Sequence, residues 1–186
     1  GYTPLMVAAQ NGHIPIMEAL LDKGAKLGIQ SYDGTKSFIL ASQNGHIDAI
    51  KLLLDKGAEI NKQDFTEKSN ALIQASMYGQ TEVVEYLLEH GADPNLQCAD
   101  GATALTIAAL YGHKDVAALL LRKGADMNLR CIEGANSLFL ASLSGQTEIV
   151  KMLLDKGADQ EYEETNGVYA LVITGQDGLT ATIKSL

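Results

Sequence analysis

Apolar positions along the chain come in pairs of short runs at helical spacing, separated by glycines. The clearest instance runs from Asp100 to Asn128. A first run holds Leu105, Ile107, Ala108 and Ala109, and Gly112-His113 interrupts it. A second run holds Val116, Ala117, Leu119, Leu120 and Leu121, and Gly124-Ala125 closes it. The rest of the chain is this stretch rewritten. Its break glycines fall at Gly12, Gly45, Gly79, Gly112, Gly145 and Gly178, with spacings of 33, 34, 33, 33 and 33 residues. A fixed period in this range marks a repeat array.

The period divides the chain into units 1–33, 34–67, 68–100, 101–133 and 134–166 and a partial unit 167–186, forming one repeat domain without a linker. Each unit should hold two short helices, which are marginal in isolation and persist only by stacking on their neighbours. Glycine at the break closes the first helix because it adopts the left-handed conformation at little cost. Thr81 and Thr147, each followed by glutamate, are expected to cap the second helix, and Pro15 sits at a first-turn position. Gly24, Gly57, Gly91, Gly124 and Gly157 stop the second helix.

The residues that carry the repeat also carry a family resemblance. Gly1-Tyr2-Thr3-Pro4-Leu5 with Ala8-Ala9 opens one repeat, and Gly91-Ala92-Asp93-Pro94-Asn95 and Gly124-Ala125-Asp126-Met127-Asn128 close two others. The pattern resembles the ankyrin repeat from Gly1 to Leu186. The resemblance implies an all-α repeat solenoid of helix-turn-helix units, each with a β-hairpin-like loop projecting from it. It also implies a non-enzymatic protein-interaction scaffold that binds partners on a concave face made by loop tips and first helices.

Several positions depart from that pattern. The histidine usual after Pro-Leu is replaced by Met6, Ile39, Ile73, Thr106, Phe139 and Val172, so packing should replace a side-chain hydrogen-bond network. The first loop has Lys26 and Gly28 where Asp and Asn are expected. The second, Asp64 to Lys68, has an extra residue and no glycine. These two turns should be irregular.

The residues projecting onto the implied face distinguish this chain from a generic array. The pair before the break glycine is Gln10-Asn11, Gln43-Asn44, Met77-Tyr78, Leu110-Tyr111, Leu143-Ser144 and Gln176-Asp177. Its ends are polar and its middle is apolar. With Tyr32, Phe65 and Ile132 at the loop tips, the expected partner-binding residues are Tyr32, Phe65, Met77, Tyr78, Leu110, Tyr111, Ile132 and Leu143. Tyrosine is enriched among interface anchors. Asp64, Glu67, Asp100, Glu133, Glu161, Glu163 and Glu164 should form an acidic rim, which favours a partner segment with apolar anchors and basic flanks.

Composition narrows the remaining classes. A net charge of −9 opposes the counterion displacement that nucleic-acid binding requires. No apolar run approaches the roughly 18 residues of a membrane helix. The expected protein is a monomer of the cytoplasm or nucleus. Cys98 and Cys131 occupy one site in adjacent repeats, at a separation of about 8–10 Å that is too wide for a disulfide. No metal-ligand spacing surrounds them, and no metal or cofactor is expected.

No nucleophile, base or phosphate loop suggests catalysis. His13, His46 and His113 recur at the repeat's own position, where a hydrogen bond should tie the turn, and His90 should donate to a helix C-terminus. Asn61, Asn95 and Asn128 match the loop asparagine that an asparaginyl hydroxylase modifies in animal members of the resembled family, although turn asparagines ordinarily bond their own backbone. The competing reading is a recruiting region of a larger enzyme, channel or effector.

Overall fold

The helices end where the repeating glycines place their stops. In the computed structural model, residues 1–29, 36–131 and 134–158 are described. Contacts cluster into two units, Gly1–Asp93 and Pro94–Leu186.

The first unit contains α1 (Pro4–Gln10), α2 (Ile14–Asp22), α3 (Ser37–Gln43), α4 (Ile47–Asp55), α5 (Ala71–Met77) and α6 (Thr81–Glu89). Helices α1, α3 and α5 pack side by side, as do α2, α4 and α6, and each odd helix pairs with the even helix that follows it. The core lies between these layers. Leu53 and Leu87 retain no exposed area, and Ile50 and Val84 none either. Each such side chain contributes about 1.5–3 kcal/mol by leaving water, which is what short helices need in order to persist.

The second unit repeats the plan with α7 (Ala104–Tyr111), α8 (Lys114–Arg122), α9 (Ser137–Leu143) and α10 (Thr147–Asp155). Here α7 packs on α9 and α8 on α10, with α7 and α9 pairing to α8 and α10.

Nine of the ten described helix stops follow one geometry, the exception being α7, where Gly112 is the C-cap and donates to Ala108 O. After α2, Gly24 N–H donates to Leu21 O at 2.9 Å and Ala25 N–H to Leu20 O at 3.0 Å. After α1, Gly12 donates to Ala9 O and His13 to Ala8 O. These paired bonds satisfy otherwise orphaned carbonyls and need a left-handed residue at the glycine. Gly12 and Gly45 have φ of +65° and +78°.

Helix starts only half match the expectation. Four of the five described first helices are capped by side chains, α3 being the exception: Thr3 accepts from Met6 N–H, Asn70 from Ile73, Thr103 from Thr106 and Asn136 from Phe139. Thr81 and Thr147 do not cap α6 and α10. They are the first helical residues, and Gln80 and Gln146 hold the cap position without a side-chain cap bond. Pro15 lies in the first turn of α2, as expected.

The substituted histidine positions pack as anticipated in the first unit, where Met6, Ile39 and Ile73 are buried. In the second unit Thr106 keeps a polar arrangement, its hydroxyl accepting from Thr103 N–H at 2.7 Å and donating to Thr103 O at 2.9 Å.

The connecting loops are hairpin-like in their closure only. Cys98 N–H donates to Ala102 O and Cys131 N–H to Ala135 O, both at 2.9 Å, but among the described residues no strand forms. The Asp64–Lys68 loop is irregular as anticipated: Lys68 has φ of +51°, the one left-handed non-glycine residue described. In the first loop, Gln30 to Thr35 lie outside the described residues.

Candidate protein-binding face

The residue before each break glycine is the C-cap of its first helix in four of the five described repeats. What its side chain does there depends on its chemistry. Asn11 and Asn44 turn back and donate from Nδ2 to Val7 O at 2.7 Å and Leu40 O at 2.8 Å. Tyr78 cannot reach back in this way and stands 51% exposed; Tyr111, the last residue of α7, is 53% exposed. Leu143, one position earlier in its repeat, is 43% exposed.

Met77 and Leu110 are half-buried, so their role is divided between packing and surface. In the second unit the Tyr111 ring lies 6.4 Å from the His113 ring at an interplanar angle of 19°. Tyr32 and Ile132 lie outside the described residues. So do Glu133, Glu161, Glu163, Glu164, Gln176 and Asp177.

Phe65 tops the irregular loop and is 83% exposed. Asp64 shapes the loop: its N–H donates to Ser69 O at 2.9 Å, and its carboxylate accepts from Glu67 N–H at 2.9 Å. Beneath Phe65, Lys36 is buried, its Nζ 6.0 Å from the ring centroid and donating to Gln63 O at 3.2 Å. Desolvation pushes the Lys36 ammonium below its ordinary pKa, and Lys62 adds repulsion against a smaller attraction from Glu59 and Asp64. A cleft of about 310 Å³ opens between Lys36, Phe38, Ala58, Lys62 and Phe65. The buried lysine went unnoticed in the sequence, where the available signal was a Lys at the position held by Thr3 and Thr103.

Bonds between successive repeats hold this face in place. His46 Nε2 donates to Gln10 O at 3.0 Å, and Gln80 Nε2 to Gln43 O at 3.0 Å. Of the histidines expected to tie the turn, His46 does so across repeats, bonding the end of the preceding repeat's first helix. For the loop asparagines Asn61 and Asn95 the expectation of a bond to their own backbone is corrected. Asn61 Nδ2 donates to Gly91 O at 3.2 Å and its Oδ1 accepts from Asp93 N–H at 2.9 Å, while Asn95 Oδ1 accepts from Asp126 N–H at 2.8 Å. Each bonds the next repeat rather than its own backbone. His90 behaves as expected, its Nδ1 donating to Tyr86 O at 2.7 Å with the two rings stacked at 3.9 Å.

The acidic positions are not uniformly free. Asp100 accepts from Ala102 N–H at 2.9 Å and from the Cys98 thiol at 2.8 Å. The thiol bond and then the amide bond hold its carboxyl below the usual range. Burial, with the nearby carboxylate, raises the Cys98 thiol to about 12. Both cysteines are free and half-buried. Among the described residues no group of three His, Cys, Asp or Glu side chains is placed to hold a metal ion, and no helix is long and apolar enough to cross a membrane.

Paired short helices closed by glycine stops, stacked in register and tied by side chains to the neighbouring repeat, define an α-helical repeat protein. The chain belongs to the ankyrin repeat family: the family model for ankyrin repeats (3 copies) matches residues 1–64 and 72–164. Ankyrin repeats generally mediate protein–protein interaction. Over 104 residues, 56% of the chain, the sequence is 34% identical to the mouse (Mus musculus) ankyrin repeat and SAM domain-containing protein 6 and 35% identical to its rat (Rattus norvegicus) counterpart. The matched segment spans 8% of each relative's length.

Proposed function

We propose that the chain binds an extended or helical segment of another protein through the C-terminal ends of its first helices and the adjoining loop tips. The observation that carries this reading is the exchange at one register position. Asparagine there is consumed by its own helix, whereas Tyr78 and Tyr111 leave about half their surface in water. Exposed aromatics on rigid, tied backbone lose little entropy when they dock. Leu143 and Phe65 add exposed apolar surface. The net charge of −9 favours basic residues flanking the apolar anchors of the partner segment.

The test is capture from lysate of the source cell by residues 1–186 and by Tyr78→Ala/Tyr111→Ala, followed by affinity measurement on the captured protein. Truncating two anchors should weaken binding by about 2 kcal/mol or more, roughly thirtyfold, with the melting temperature little changed. Equal affinity for both baits would remove the tyrosines from the interface. A second reading, in which the array recruits targets for a larger protein, draws on the relatives, of which the matched segment is 8%.

A further inference from the structure

Among the described residues Lys36 is the one charged side chain that is buried, at 7% exposure. A buried ammonium gives up its hydration and ordinarily recovers it from a carboxylate. Here Gln63 O takes one of its three N–H donors, at 3.2 Å, and among the described residues no carboxylate forms an ion pair with it. The Phe65 ring, its centroid 6.0 Å away, stands at the outer limit of a cation–π contact. Burial lowers the pKa of the ammonium, and Lys62 lowers it further by more than either Glu59 or Asp64 raises it. The fold loses a second contribution at this position, since Thr3 and Thr103 cap their helices where Lys36 does not. Stability given up beside an open cleft is a mark of a binding site.

The cleft is the one of about 310 Å³ bordered by Lys36, Lys62, Glu59, Phe38, Ala58 and Phe65. Two lysines against one glutamate leave its lining one charge positive, in a chain of net charge −9. That glutamate is already engaged, by Lys62 at 3.1 Å. Apolar walls beside a buried cation that lacks a counter-charge are complementary to an apolar group carrying a carboxylate.

We propose that this cleft is a specificity subsite of the partner-binding face, taking the carboxylate of one Asp or Glu of the docked segment against Lys36 and Lys62, with the apolar residue beside that acid resting on Phe65. The proposal rests on the reading above, in which a segment of another protein docks over the loop tips. It adds one acid to a segment otherwise flanked by basic residues.

The probe is N-acetyl-Leu-Glu-amide, titrated into residues 1–186 and followed by NMR at the Lys36 Cε and Phe65 ring signals, with N-acetyl-Leu-Gln-amide as its uncharged isostere. The glutamate probe should saturate with a Kd on the order of 1 mM, as suits a ligand this small, and the glutamine probe should bind about tenfold more weakly. Lys36→Met, which keeps the apolar stem and removes the charge, should abolish that difference. Lys62→Gln, at a half-exposed surface site that folding does not depend on, should narrow it about threefold. Equal binding of the two probes, absence of saturation, or a preference that survives Lys36→Met would overturn the proposal. So would N-acetyl-leucine binding more tightly than the glutamate probe, which would give the cleft to a chain terminus. The same titration on Tyr78→Ala/Tyr111→Ala separates the two readings. Equal affinity of both baits for the captured protein, with the probe preference intact, removes the tyrosines alone, whereas a tyrosine-dependent capture with equal probe binding removes the cleft alone.

Discussion

The imidazole of His46 lies 3.0 Å from the carbonyl oxygen of Gln10, 36 residues earlier in the chain. The ring also sits over Gly12: a Cβ built on that glycine would stand 2.8 Å from His46 Nδ1. One glycine thus closes the first helix and makes room for the bond that joins two repeats. Gly45 stands in the same relation to Gln80, whose Oε1 would lie 2.7 Å from an added Cβ. Removing the tie by His46→Ala should cost about 0.5–1.5 kcal/mol. His46→Gln, which copies Gln80, should restore most of it. Gly45→Ala should cost more than His46→Ala, because about 1–2 kcal/mol of left-handed strain adds to the displacement of Gln80. Urea unfolding of the three variants ranks these losses; a Gly45→Ala as stable as the parent protein would contradict the account.

Asn61 makes two bonds to the following loop, donating to Gly91 O and accepting from Asp93 N–H. Asn61→Ala removes both and should lower stability by about 1–2 kcal/mol. Asn61→Asp keeps the acceptor and loses the donor, and should fall between the parent and the alanine variant. If the two variants are equally destabilised, the accepting bond contributes nothing. The site is exposed, so urea unfolding should show these shifts without a change in the slope, which follows the surface uncovered on unfolding.

The helix stops were legible in the sequence because a left-handed turn leaves a glycine at a fixed place whatever surrounds it. The candidate face was legible only in part. Tyr78, Tyr111, Leu143 and Phe65 are exposed as read, but Met77 and Leu110 are half-buried, since a residue one step from a helix end faces both its neighbour and water. What could not be read were the bonds spanning a repeat. Thr81 and Asn61 each look like residues that bond locally, and local bonding is the only geometry a linear reading supplies. Once repeats stack, Gln80 takes the cap position and reaches Gln43 O, while Asn61 finds the backbone at Gly91 and Asp93. At Asn61 the neighbouring repeat displaces the local motif, whereas Thr81 keeps a local bond, its hydroxyl donating to Gly79 O at 3.4 Å.

Cys98 should be chemically quiet. Its thiol donates to Asp100 Oδ1 at 2.8 Å, and burial together with that carboxylate raises its pKa to about 12. Since the thiolate is the reactive form, alkylation near pH 8 should be slower than for an ordinary free cysteine by about three orders of magnitude. Iodoacetamide labelling followed by peptide mapping gives the rate. Asp100→Ala should speed labelling only in part, because burial is the larger cause and remains. The same pair gives a pH dependence. Asp100 has a folded pKa below its unfolded value, so its stabilising contribution is present above that unfolded value, near 3.9, and is lost as pH falls through the folded one. Asp100→Ala should therefore differ most from the parent protein above pH 5 and converge with it in acid.

Lys36 occupies the N-cap of α3 with the extended backbone that Thr3 and Thr103 adopt at the same register position, yet it supplies no cap bond. Its ammonium instead crosses to Gln63 O beneath Phe65. Lys36→Thr should supply the missing acceptor for the first turn of α3, an effect of about 1 kcal/mol. It also relieves the burial of a charge, and forfeits one hydrogen bond to a carbonyl that water can reach. The balance favours the variant, which should be more stable than the parent protein at neutral pH. The sign of the pH dependence follows from the lowered pKa of Lys36. A base whose folded pKa lies below its unfolded one penalises the folded state at low pH, and the penalty fades as pH rises through the folded pKa toward the unfolded value near 10.4. The advantage of Lys36→Thr should therefore be constant in acid and shrink between neutral pH and pH 10. Urea midpoints at pH 6, 8 and 9.5 measure it directly. A gap that widens with pH would mean that the folded protein stabilises the lysine charge. If the variant instead unfolds earlier at every pH, the bond to Gln63 outweighs the cap, and the loop carrying Phe65 is what Lys36 is there to hold.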